Sequence, residues 1–191
     1  MKKGQSDIKT VVIGIGNAIL SDDSVGIKAV NMLKSMHIAG YGAKKETCGV
    51  CEISNNNGKT SGFKEESKNG RRSNFTEFIE VSSGGINLME YMAGFNRAVI
   101  IDAIVTGRHK AGTIFKFIYP NMPYTRNTVS THDMDLPMAL EMGKYLGIAL
   151  PSTIIIFAIE AEDTVTFGEG LTKEVEISLG RVVDEIKLLL N

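Results

Sequence analysis

The chain has 191 residues, 43% of them hydrophobic, which fits one domain with a substantial core and leaves little room for two. Basic and acidic residues nearly balance, 21 against 22, so no global field gathers nucleic acid or anionic lipid, and neither nucleic acid nor a membrane is expected as a partner. No apolar run reaches the roughly 18 residues of a spanning helix, and the first apolar run leads into a glycine turn rather than a cleavage pattern, so a soluble cytoplasmic chain is expected.

In chain order, the apolar run 8–13 reads as a first strand, followed by the turn Gly14-Ile15-Gly16-Asn17 and a helix over 25–36. That helix puts Val25, Ala29, Met32, Leu33 and Met36 on one face and Lys28, Asn31 and Ser35 on another that meets water. Residues 39–74 turn polar, rich in Gly, Lys, Asn and Ser, and read as an insertion with a strand expected over 47–53. Cys48 and Cys51 within it form a lone Cys-x-x-Cys without a second pair or nearby histidine, read as two reduced thiols. Then come a strand over 75–81, a short helix over 86–93, a buried strand over 98–103 and a further strand, at an edge, over 113–119. An irregular loop over 120–131 precedes a helix over 136–146, whose first turn tolerates Pro137. A strand over 153–158 and a helix over 171–190, with Val175, Leu179, Val182, Ile186 and Leu189 on one face, complete the chain. Alternating apolar runs and amphipathic stretches predict an α/β fold, a three-layer arrangement with a twisted, mostly parallel sheet flanked by helices.

The junction after the first strand is the most informative stretch. A glycine turn leading into a helix normally invites a phosphate, but Asp22 and Asp23 already place negative charge there. The dinucleotide fingerprint also lacks its last glycine, replaced by Ile19, and no acid follows about twenty positions on for a ribose. One of Ser21, Asp22 and Asp23 is expected to cap the helix, which leaves the second carboxylate without a structural duty. Asp102 ends the run Val99-Ile100-Ile101, where a carboxylate needs a partner, a metal or water; hydrogen bonding to the backbone of the next loop is the structural alternative. His132, at the end of the irregular loop, is either a ligand or a capping or surface residue. Together Asp23, Asp102 and His132 make an oxygen, oxygen, nitrogen set with open positions, suited to a borderline divalent ion such as nickel or zinc. His37 and His109 lack comparable settings, and no Gly-x-Ser-x-Gly elbow supports a serine mechanism.

Gly14-Ile15-Gly16-Asn17 with Asp22-Asp23 and Gly26, then Ile100-Ile101-Asp102-Ala103 with Gly112-Thr113, then Ser130-Thr131-His132 followed by Leu136, resembles the hydrogenase maturation proteases in motif, order and spacing. The resemblance implies an endopeptidase that removes a C-terminal extension from the large-subunit precursor of a nickel-iron hydrogenase, its partner. It also implies that Asp23, Asp102 and His132 are the metal-contacting and catalytic residues. Nickel would then be carried by the substrate, with no organic cofactor. Asp23 stands where members typically carry glutamate, and Glu80-Val81-Ser82-Ser83-Gly84-Gly85 stands where they often carry Asp-Gly-Gly-Thr-x-Gly. A protein of another class, a non-catalytic metal sensor or chaperone for the immature subunit, is the rival reading.

Overall fold

A computed structural model describes residues 8–43, 62–63, 75–82, 85–119 and 136–190. Among them, β1 (Lys9–Ile15), β2 (Gly62–Phe63), β3 (Phe75–Val81), β4 (Arg97–Ile104), β5 (Ile114–Tyr119) and β6 (Thr153–Glu160) form a six-stranded sheet in the order β2-β3-β1-β4-β6-β5. The central strands β3, β1, β4 and β6 are parallel, while β2 and β5 close the two edges in antiparallel fashion. The expected mostly parallel α/β architecture is therefore present.

The central strands read as unbroken apolar runs because both of their faces are covered. On β4, alternation sends Val99, Ile101 and Ala103 to one face and Ala98 and Ile100 to the other. The first face is covered by α1 (Val25–Ala43) and α4 (Lys173–Leu190), and the second by α2 (Leu88–Met92) and α3 (Leu136–Tyr145). Each layer removes its own apolar cluster from water, at about 25 cal/mol per Å² of apolar surface buried.

Two helices differ from their sequence reading. In α1 the buried stripe is Val25, Ala29, Val30 and Leu33, whereas Met32 and Met36 are 37% and 40% exposed and sit at its margin. The helix also runs on to Ala43, into the stretch read as an insertion, because Gly40 and Gly42 lower helix propensity without ending the helix. In α4 the expected face is buried, with Leu189 only partly so, and Val183 and Ser178 join it. The strand expected over 47–53, the loop over 120–131, Cys48 and Cys51 lie outside the described residues. No described helix is long and apolar enough to cross a membrane.

Sheet topology picks out one place for chemistry. From β1 the chain moves by α1 to β3 on one side, then returns by α2 to β4 on the other side of β1. The carboxyl ends of β1 and β4 thus flank the point where strand order reverses, where open α/β sheets bind their ligands.

Candidate active site

The segment leaving β1 turns sharply and reaches α1 through a 3-10 turn, Ser21–Ser24. Gly16 adopts a positive φ of 151° there, and a Cβ on it would overlap the Asp23 carbonyl. Gly26, in the first turn of α1, lies so close to the sheet that a Cβ would collide with the carbonyl oxygens of Ile15 and Ile101. The absence of a side chain lets helix backbone rest directly on strand backbone. Asp102 is the next residue after Ile101, and Asp23 precedes Gly26 by three, so both acids belong to segments that adjoin this close approach.

Each carboxylate is held by a backbone donor. Asn17 N–H donates to Asp23 Oδ2 at 2.9 Å, and Ala103 N–H donates to Asp102 Oδ1 at 2.9 Å. Such bonds fix a side chain's orientation. Asp23 is 2% exposed and Asp102 fully buried. They are enclosed rather than open on a cleft, at variance with the open positions expected of a ligand set. By alternation with Ala98 and Ile100, Asp102 belongs to the sheet face that α2 and α3 cover. His132 lies outside the described residues, and among the described residues no group of three potential ligands gathers.

Asp22 has a role that its sequence neighbours do not disclose. The 3-10 turn begins after Leu20 without a side-chain cap, and the fully buried Asp22 carboxylate reaches instead to the loop between β6 and α4. Its Oδ2 accepts the N–H groups of Glu162 and Asp163 at 2.9 and 3.0 Å and the Thr172 hydroxyl at 2.9 Å, while Oδ1 accepts Thr172 N–H at 2.7 Å. Asp22 N–H in turn donates to the Asp163 carbonyl at 2.9 Å. Of Ser21, Asp22 and Asp23, one of which is expected from the sequence to cap the helix, Asp22 instead joins two distant segments. Asp22→Ala is expected to lower stability by about 3 kcal/mol, since charge-assisted bonds are lost and their donors left without an acceptor. Urea unfolding reads this as a lower midpoint, and hydrogen exchange as loss of protection at residues 162, 163 and 172.

Glu160 was missed by the sequence reading, which ended the last strand at 158. It is 2% exposed at the carboxyl end of β6, and its Oε1 accepts the N–H groups of Thr106 and Gly107 at 2.8 and 3.0 Å, with the Thr106 hydroxyl bonded as well. It thereby fastens the loop that leaves β4 just beyond Asp102. The signal was available, since Glu160 ends an apolar run as Asp102 does. Further along, the Thr166 hydroxyl, then the N–H groups of Thr166 and Val165, hold the Asp163 carboxyl below the ordinary carboxylate range. That turn is therefore fastened above this range and loosens as pH falls through the lowered value. His37 and His109 pack edge-on against Phe78 and Phe115.

The hydrogenase maturation protease profile matches residues 64–188. The chain is 20% identical to the hydrogenase 2 maturation protease of Escherichia coli strain K12 over 180 residues, covering 94% of this chain and 88% of that one. Among solved structures it resembles the hydrogenase maturating endopeptidase HybD of Escherichia coli, with a TM-score of 0.64, 19% identity and coverage of 96% and 92%. It also resembles the NiFe hydrogenase maturation protease HybD of Thermococcus kodakarensis, with a TM-score of 0.59, 19% identity and coverage of 96% and 100%.

Proposed function

The chain belongs to the hydrogenase maturation protease family, and on that premise we propose that it removes the C-terminal extension of a nickel-iron hydrogenase large-subunit precursor once nickel has been inserted. Asp23, Asp102 and His132 engage nickel that belongs to the substrate; the enzyme needs no organic cofactor and no resident metal. The observation that carries this reading is the placement of Asp23, in the segment leaving β1, and Asp102, near the carboxyl end of β4, beside the strand-order reversal, each held by a backbone N–H. Carboxylate oxygens, joined by an imidazole nitrogen, suit a borderline divalent ion.

The chemistry then falls to positioning. Nickel held jointly by the precursor and these side chains fixes the scissile bond relative to the rim, and fixing reactants in this way contributes several kcal/mol to rate. In the free chain both carboxylates are enclosed, so the precursor engages them only as the rim opens. A nickel-free precursor lacks the ion that would join the two and is expected to keep its extension. Incubating purified chain with nickel-loaded and nickel-free precursor, followed by mass spectrometry, tests this. Loss of the extension from the loaded form alone is the expected result. Equal cleavage of both forms defeats the nickel requirement, and binding without cleavage replaces the protease by a chaperone.

A further inference from the structure

Beside Asp23, the loop from β6 to α4 carries large apolar side chains in water: Ile19 on the facing turn is 55% exposed, and Val165 and Phe167 are each 78% exposed. Leu20 and Phe167 form an antiparallel bridge, and Gly168 N–H donates to the Ile19 carbonyl at 3.0 Å, so the two segments make a short ribbon that ends at the acid turn. A loose loop with this composition would fold back to bury such groups. This one is fastened in the exposing conformation: Asp22 grips both of its ends at residues 162, 163 and 172, Ser21 Oγ donates to the Gly170 carbonyl at 3.0 Å, and Lys28 to that of Glu169. Apolar surface kept rigid and in water is surface prepared for a partner, since its ordering entropy is already spent.

Resting on the protease reading above, we infer that Ile19, Val165 and Phe167 dock the hydrogenase precursor next to the scissile bond. The occupant follows from two facts. The ribbon is continuous with the turn that bears Asp23, so whatever lies on it reaches the rim without a gap. Residues 161–172 also carry Glu162, Asp163 and Glu169, met by the single Lys28 from α1, so the matching segment of the precursor presents apolar side chains flanked by basic ones.

The test is steady-state processing of nickel-loaded precursor by Val165→Ser/Phe167→Ser and, separately, by Glu169→Lys. All three positions are exposed, so thermal unfolding is expected to match that of the unaltered chain. The double variant is expected to raise KM at least tenfold with kcat at saturation unchanged, and Glu169→Lys to raise KM several-fold in a salt-dependent manner. An unchanged KM in the double variant overturns the docking surface while leaving the protease intact. So does loss of a dimer on sedimentation with KM unchanged, which gives the patch to a second copy. If the unaltered chain leaves the precursor whole, the protease reading itself falls, and this inference with it.

Discussion

Replacing Asp102 with asparagine is expected to lower precursor processing at least about a hundredfold while leaving the fold in place. Asparagine matches aspartate in size and keeps an oxygen for the Ala103 N–H, so the fully buried site gains no cavity and the Ala103 donor stays paired. What disappears is the negative charge that would face a nickel ion. In energy, a hundredfold loss is about 2.7 kcal/mol of transition-state stabilisation, each tenfold costing about 1.36. His132→Ala is expected to have an effect of similar size by removing the nitrogen donor. The measurement is initial rate of extension removal, paired with thermal unfolding. Variants that fold normally and retain full rate would remove these residues from the site.

Gly26→Ala should damage the molecule more broadly. A new Cβ would meet the carbonyl oxygens of Ile15 and Ile101, both part of strand backbone in the middle of the sheet. Neither can step aside as the tip of a flexible side chain would. The only relief is to lift α1 from the sheet, which opens the packing of Val30 and Leu33 against their layer. The expected cost is at least about 3 kcal/mol, at or beyond the upper end of ordinary overpacking. Urea unfolding gives the value directly. Processing should fall at the same time, since the contact that seats the start of α1, just after Asp23, against β4 is the one being broken. A stability change within about 0.5 kcal/mol, the usual range for a surface substitution, would show that α1 does not rest on the strands as described.

What could be read from the chain alone follows a physical divide between local and distant causes. β4 was legible because a strand buried on both faces must be apolar throughout, and Asp102 stood out against that background. Asp23 stands out as a second acid at a helix start, and it is buried there. The duty of Asp22 was not legible, since capping is decided by neighbours three residues away, whereas its acceptor bonds run to donors 140, 141 and 150 positions downstream. Glu160 is hidden for a simpler reason: the apolar run reads as a strand over 153–158, two residues short of the acid. The extension of α1 to Ala43 was hidden by Gly40 and Gly42, whose low propensity is overridden once the preceding turns are packed. Exposure of Met32 and Met36 reflects the narrow width of the stripe that faces the sheet, a property of docking angle that periodicity does not encode.

The long reach of Asp22 has a bearing on the order in which the chain is made. β1, its acid turn and β4 all leave the ribosome well before β6, which fills the place between β4 and β5, and before Thr172, the last donor to Asp22. A nascent copy therefore holds Asp22 unfastened until almost the whole polypeptide has been synthesised, and the segments that must meet are among the most widely separated in the molecule. Late closure of this kind leaves the turn that bears Asp23 without its tie to the far end of the chain until synthesis is nearly complete.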